Sequence, residues 1–480
     1  MNYFNPLWEQ SAFINNDWVK SGGAAEVLDK FDNSVIGVVA HADQDLTHEA
    51  VAAAEAAFKA GSIHPYRRYE ILSRGRELIA EREEQILHLM VGETGFTLGD
   101  CRTELNRCSQ TFAASAEEAK RLTGEMVPIT AAPGQDERRI AFTVRKPIGV
   151  VCAITPFNSP LNTVAHKVLP AIAAGNTVVL KPATYTPLCS AVLCEVLAEA
   201  GLPPGYLNMV TGGGGTTGRT LLHDQRVAYY AFTGSTEVGR EIQQAAGLRR
   251  TQLELGNISG TIVCADAMLE AAVSKCAAAS FRKAGQVCTS VQRIFVESSI
   301  ADEFVDALCR KTQSLAVGNP RNASTFVGPM IDGKEAQRIE NWIIEADREG
   351  AEILTGGDRD GALVQPTIIT GASSDSRVLT DEAFAPVVTV VPFDSLDEAL
   401  AGVNATPYGL SAGIFTKDVT RGLDAIRALD MGNIHINDTS SSRVDLMPYG
   451  GVKDSGHGRE GPRYAVRDMT EEQLVVINPG

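Results

Sequence analysis

The sequence predicts an α/β protein with two lobes, each built on a parallel sheet, and three observations carry that expectation. The 480 residues are several times the usual length of one folding unit, so more than one core is expected. From Pro147 onward short apolar runs alternate with stretches of helix-forming composition, the order a doubly wound parallel sheet requires. A second alternating series of the same kind begins near Gly256.

Taken in order, residues 46–122 mix alanine-rich and charged stretches with helical period. Breaks at 61–65 and 95–99 divide them into three expected helices. In the first lobe IGVVCAIT, NTVVLKP, LNMVTG, VAYYAFTG and TQLELG read as buried strands, with helices expected over 186–200, 216–223 and 235–246. In the second, IVCAD, RIFVES, VVTVVPF and GIFT are the strands, and 267–283, 300–316 and 333–350 the helices. Two strands fit neither lobe: 138–144 and the C-terminal EEQLVVI. Strands left over in this way commonly pair outside their own domain, often with a sister subunit, so an oligomer is expected.

Composition narrows the function classes. Lys and Arg total 43 against 59 Asp and Glu, a formal charge of -16, and such a field repels phosphate backbones and anionic lipid. Nucleic acid and membrane partners are therefore not expected. No stretch approaches the roughly 20 unbroken apolar residues of a spanning helix, and the start has no basic segment followed by an apolar run. A cytoplasmic location is the expectation. Nine cysteines without a C-x-x-C and eight histidines without an H-E-x-x-H suit neither a disulfide framework nor a zinc cage, so no metal site is expected.

Chemistry concentrates at strand ends. Residues 213–218 satisfy G-x-G-x-x-G between a strand and a helix, a pattern read either as a dinucleotide fingerprint or as a tight βα turn. In FTGSTEVG a strand ends at Thr233 and Gly234, and Ser235 and Thr236 offer hydroxyls and free amides at a helix N-terminus, which suits a pyrophosphate. Cys288 stands in the small-residue turn AGQVCTS, where a thiol can face a cleft, whereas the other cysteines occupy apolar runs. Glu254, in LELGN, lies at an apolar strand end where a carboxylate is costly unless suppressed or paired, which suits a general base. Asn158, in TPFNSP, offers an amide that cannot be deprotonated, as an oxyanion donor must.

Read together and in order, TPFNSP, KPATYTP, FTGSTEVG, LELGN, GQVC and DEAFAP resemble the aldehyde dehydrogenase superfamily, NAD(P)-dependent enzymes that oxidise aldehydes to carboxylic acids, over nearly the whole chain. The resemblance implies a Rossmann-like NAD(P)-binding domain over 1–124 and 145–253 and a catalytic domain over 254–450. It also implies an oligomerisation element with the C-terminal strand over 125–144 and 451–480, in a homodimer or homotetramer. It makes Cys288 the nucleophile, Asn158 with the Cys288 amide the oxyanion hole and Glu254 the base that activates water for thioester cleavage. Lys181 falls in the catalytic set and near the adenosine ribose. Thr155, Pro156, Phe157, Gly215, Phe232, Thr233 and Leu255 join Gly234 and Ser235 around the cofactor, with Glu382 and Phe384 at the nicotinamide ribose.

Ala385 replaces the Gly usual after that Phe. Thr184 stands where NAD-preferring members often have Glu, so NADP is expected to be accepted, with or without NAD. Glu460 matches a second carboxylate near the active site, or else a surface acid. Arg107, Arg443 and His457 are candidates for the substrate end, because their segments resemble a subgroup acting on small oxygenated or anionic aldehydes such as lactaldehyde and glyceraldehyde phosphate. Ser159 and Val287, beside Asn158 and Cys288, carry no charge. Competing readings are a CoA-acylating relative, which Glu254 argues against, and a catalytically silent binding relative, which the retained Cys288, Glu254 and Asn158 argue against.

Overall fold

A computed structural model describes residues 8–10, 12–20 and 23–479. The strands expected in the first lobe form the heart of an eight-stranded sheet, in the order Arg250–Glu254, Val227–Thr233, Val150–Ile154, Thr177–Lys181 and Leu207–Met209. All five are parallel and almost wholly buried, which is why they read as continuous apolar runs rather than alternating ones. Their register sets Lys181, Ile154, Phe232 and Leu253 in one row across the sheet. The next residue of each strand or loop therefore emerges on the same edge, at the carboxyl ends where open α/β sheets bind ligands.

The second lobe holds a seven-stranded sheet in the order Glu352–Thr355, Thr367–Thr370, Val387–Phe393, Val291–Glu297, Ser259–Val263, Ser411–Phe415 and Asn433–Ile436. Every pair but the first is parallel. Residues 255–258 cross from the end of Arg250–Glu254 to the start of Ser259–Val263, and Cys288 lies just before the start of Val291–Glu297. Glu254 thus leaves the carboxyl edge of one sheet where Cys288 approaches the amino edge of the other.

Several elements depart from the sequence expectation. The 46–122 region holds four helices, because Arg82 separates Pro65–Glu81 from Glu83–Thr94. No glycine or proline marks this break; Arg82 leaves the helical conformation (φ −101°, ψ 17°) with its guanidinium bound to Glu195 and Glu199. An unanticipated helix, Asn162–Ala174, is buried on every side and contains Pro170, so it shows no amphipathic period to read. The Leu161 amide and the helix's first amide, that of Asn162, are held by the buried Glu104 carboxylate at 3.0 and 3.2 Å.

The two leftover strands pair first with each other: Ile140–Pro147 and Thr470–Ile477 run antiparallel through eight residue pairs, with Met126–Val127 on the other side. The first strand continues past 144, and in the C-terminal segment Gly456–His457 pairs with Leu253 and Glu254 as an edge of the first sheet. Among the described residues no helix is long and apolar enough to cross a membrane.

Candidate active site

The turn that carries Cys288 is strained and firmly held. Lys283, Ala284 and Gly285 have φ of 53°, 53° and 69°, a left-handed run that costs about 1–3 kcal/mol at each non-glycine residue and persists only where the surroundings impose it. Here they do. The Lys283 ammonium lies 2.7 Å from Glu104 and 2.9 Å from the Asn158 carbonyl. Gln286 Oε1 accepts the Ile331 amide at 2.9 Å. A side chain at Gly285 would collide with the Ala385 carbonyl oxygen at 2.0 Å. Ala385 itself is absent from the positive-φ residues and its methyl is buried in the second core, which is why alanine is tolerated there.

Beyond that turn, Cys288 lines a cavity of about 510 Å³ with Asn158 and Glu254. Its carbonyl accepts the Asn257 side chain at 3.2 Å, and its backbone N–H donates to no protein acceptor among the described residues. Asn158 Nδ2 donates to the Gln286 carbonyl at 2.8 Å, and since the amide carries two hydrogens, one remains for a substrate oxygen. Of the nine cysteines only Cys288 and Cys309 are partly exposed, and Cys309, on the helix Ala301–Gln313, is not a lining residue.

Glu254 is 3% exposed, and neither of its carboxylate oxygens has a hydrogen-bond partner among the described residues. Burial first, and the like charge of Glu460 second, push its pKa well above the usual carboxylate range, against Lys167, Arg443 and Arg459. Such a group exchanges protons nearer neutrality than an exposed glutamate. Glu460 is the reverse case. It lies between two cations, 3.1 Å from Lys167 and 2.5 Å from Arg443. Burial opposes its ionisation, but the two cations outweigh that and hold it well below the carboxylate range. It is buried in the cavity wall and so is no surface acid.

The other half of the cavity has the features of a dinucleotide site. Thr155, Pro156 and Phe157 line it after the strand Val150–Ile154, Phe232 and Thr233 at the end of Val227–Thr233, and Gly234 and Ser235 just beyond it. Ser235 caps the helix Thr236–Ala246, whose free amides favour an anion. Lys181 is buried with no carboxylate partner among the described residues; its ammonium donates only to the Pro182 carbonyl, at 3.4 Å. Its Cε lies 3.8 Å from a side chain built at Gly218, which sets it beside the glycine-rich loop. That loop starts as a single wide turn, Gly214–Gly218. Gly214 and Gly218 line the cavity, whereas Gly215 does not.

Opposite, Leu255, Glu382 and Phe384 close the wall. Burial pushes the Glu382 carboxyl up to about 7 while it accepts the Asn257 amide. Phe384, at φ 45°, sets its ring edge-on to Phe157 at 5.9 Å. A buried unpaired ammonium, a helix N-terminus and an available carboxylate together fit the phosphate and ribose groups of NAD(P).

Comparison with known proteins agrees with this geometry. The profile of the aldehyde dehydrogenase family matches residues 18–475. The chain belongs to the aldehyde dehydrogenase family. It is 48% identical over 478 residues to a 3-sulfolactaldehyde dehydrogenase of Priestia aryabhattai, covering 100% of both chains. Among solved structures it resembles aldehyde dehydrogenase 21 from Physcomitrella patens in complex with the reaction product succinate (TM-score 0.95, 34% identity, 98% of this chain and 99% of that one). It also resembles the glyceraldehyde-3-phosphate dehydrogenase GapN of Methanocaldococcus jannaschii complexed with NADP (TM-score 0.91, 36% identity, 94% and 98%). The protein is thus an NAD(P)-dependent enzyme that oxidises an aldehyde to a carboxylic acid.

For this dehydrogenase, the three residues singled out for the substrate end separate. Arg107 lines the cavity but is held bidentate by Asp445, at 2.8 and 3.1 Å. Arg443 lines it while pairing with Glu460. His457 does not line it: it sits exposed on the edge strand Gly456–His457, where its ring contacts Thr251 Oγ1 at 2.7 Å. Thr184 is exposed beside the lining residue Ala183, its hydroxyl donating to the Gly212 carbonyl at 3.4 Å.

Sequence reasoning passed over Arg282, Lys167, Glu104 and Tyr449. The last three look like ordinary helix or loop residues until folded. Arg282 carried a signal, a basic residue in the segment RKAGQVC leading to the cysteine. It lines the cavity, donates to Ser441 Oγ at 2.7 Å and forms no ion pair with a carboxylate among the described residues.

Proposed function

We propose that this aldehyde dehydrogenase acts on small aldehydes bearing an anionic group, with Cys288 as nucleophile, Asn158 and the Cys288 amide as oxyanion donors, and Glu254 as base. The observation that carries this reading is one cavity lined by Cys288, Asn158 and Glu254 together with Arg282, a cation lacking a carboxylate partner. The 3-sulfolactaldehyde dehydrogenase relative, whose named substrate carries a sulfonate, supports it.

The Cys288 sulfur adds to the aldehyde carbon, and the oxygen gains negative charge between the Asn158 Nδ2 and Cys288 N–H groups, which need not move to meet it. NAD(P)+, when bound, would supply the hydride acceptor. What remains on Cys288 is a thioester. Glu254 takes a proton from water, hydroxide adds to the carbonyl carbon, and the C–S bond breaks to release the acid and the sulfur. Thr155, Pro156, Phe157, Leu255 and Phe384 would enclose the reacting end of the cofactor, Glu382 would hold the nicotinamide ribose, the Ser235 helix terminus the phosphates and Lys181 the adenosine ribose.

The test of the anion reading is Arg282→Met. Losing a charge-assisted hydrogen bond of about 1.5–3 kcal/mol, roughly 10- to 100-fold, is expected to lower kcat/KM for 3-sulfolactaldehyde by that factor and leave lactaldehyde nearly unchanged. Equal losses on both overturn the reading.

NADP is accepted because Thr184 places no negative charge at the rim. Thr184→Glu is expected to cut kcat/KM with NADP by about tenfold or more, by repulsion of the 2′-phosphate, while keeping activity with NAD. Steady-state kinetics with both nucleotides checks it. The enzyme assembles as a homo-oligomer, a homodimer or homotetramer, through the three-stranded sheet of Ile140–Pro147. Its edge strand exposes Leu474, Val476 and Ile477, and Ile140 and Met126 are exposed beside them. It works in the cytoplasm, a reading supported by nine free cysteines, which suit a reducing compartment.

A further inference from the structure

The Cys288 sulfur lies 3.0 Å from the Tyr449 hydroxyl, a contact that neither the oxyanion hole nor the base accounts for. Tyr449 is 4% exposed and its backbone is fixed at both ends. Its amide reaches the Glu460 carbonyl at 3.2 Å and the Met447 carbonyl at 2.9 Å, and its carbonyl accepts the Glu460 amide at 2.7 Å. Above the ring, 3.8 Å from its centroid, stands the Arg443 guanidinium, itself held by Glu460. A cation on an aromatic face draws density from the ring and makes its hydroxyl a stronger donor. Burial pushes the Tyr449 hydroxyl well above its ordinary pKa, so when Cys288 is ionised the hydroxyl keeps its proton and donates the hydrogen bond to the sulfur.

We propose that Tyr449 is a further catalytic residue, whose hydroxyl donates the hydrogen bond that holds the Cys288 sulfur as an aimed thiolate, with Arg443 as the positioning residue stacked on its ring. The inference rests on Cys288 being the nucleophile. The charged and titratable groups that act on that sulfur are Tyr449 and Arg443, which favour the anion, Glu254 and Glu382, which oppose it, and Arg282, whose cation the sulfur influences in turn. Among the described residues only Tyr449 makes a hydrogen bond to it. No proton is consumed: as the sulfur adds to the aldehyde carbon its charge moves to the substrate oxygen, and the Tyr449 O–H keeps its hydrogen throughout. When the thioester breaks, the same donor receives the departing sulfur.

The experiment is the rate of iodoacetamide alkylation against pH, with the labelled peptide mapped, in the full-length enzyme and in Tyr449→Phe, a change that removes one oxygen and keeps the ring. The alkylation midpoint at Cys288 is expected to rise by about one unit, the scale of a lost charge-assisted hydrogen bond. The acid limb of kcat/KM rises in parallel, with KM little altered. Arg443→Lys keeps a cation for Glu460 but takes the flat guanidinium from the ring, and is expected to raise the midpoint by less. Label on Cys288 with the same midpoint in all three proteins overturns the inference while leaving the nucleophile assignment standing. Inactivating label on another cysteine overturns both, and the mapped peptide tells the two failures apart.

Discussion

Cys288→Ala is expected to abolish aldehyde oxidation, a loss of roughly 10⁴-fold or more as for other removed nucleophiles, in a protein that still folds. The fold is spared because the side chain's only hydrogen bond among the described residues is to Tyr449 and the lost volume opens onto an existing cavity. Cys309→Ala, the other partly exposed thiol, is expected to change nothing, since it lies outside that cavity. Reduced-nucleotide absorbance measures both, and substantial turnover by the Cys288 variant overturns the proposed mechanism.

The pH dependence has a definite sign. Burial pushes the Cys288 thiol up, and burial with the charge of Glu460 pushes the Glu254 carboxyl up. In each the active form is the deprotonated one, and each midpoint lies above the ordinary value. The wild-type rate therefore falls as pH drops from neutral, well before ordinary carboxylates begin to titrate.

Glu460→Ala is expected to be the most destabilising single change in the site. It strands the Lys167 ammonium, 0% exposed, and the Arg443 guanidinium, 16% exposed, without their shared partner. Leaving a buried charge uncompensated costs about 3–5 kcal/mol, which a thermal melt reads as a clear drop in midpoint. Because the Glu460 carboxyl is held below its ordinary pKa, its stabilisation is complete at neutral pH. It is lost only as pH falls through the low folded-state value, so the comparison belongs at neutral pH. The same variant removes the like charge facing Glu254 and frees two cations beside it. Both effects favour the Glu254 carboxylate, so in the surviving folded enzyme the acid limb of thioester hydrolysis moves to lower pH. A variant as stable as wild type overturns this account.

The elements that position the chemistry were legible because they depend on local rules. Buried parallel strands must be apolar along their length, and the strand ends at Ile154, Lys181, Thr233 and Glu254 stand where the apolar runs stop. A thiol in a small-residue turn and a carboxylate at an apolar strand end are anomalies visible in sequence. Arg82 and the helix Asn162–Ala174 were not legible, because a helix break made by distant carboxylates and a helix buried all round leave no periodic trace.

By itself the sequence determined the two α/β lobes and, through six motifs in order, the family, and it singled out Cys288, Glu254 and Asn158, the proposed reacting set, because each stands out against its neighbours within a few residues. Only the tertiary structure decided which charges are occupied and which are available. Arg107 is taken by Asp445, 338 residues away, and Glu460 by Lys167, 293 residues away. Arg282 is left without a carboxylate, His457 faces outward, and Tyr449 meets the sulfur from 161 residues away. The reason is geometric. A pattern along the chain reports what each backbone segment prefers, whereas the cost of a buried charge depends on which side chain strand order and helix packing bring against it.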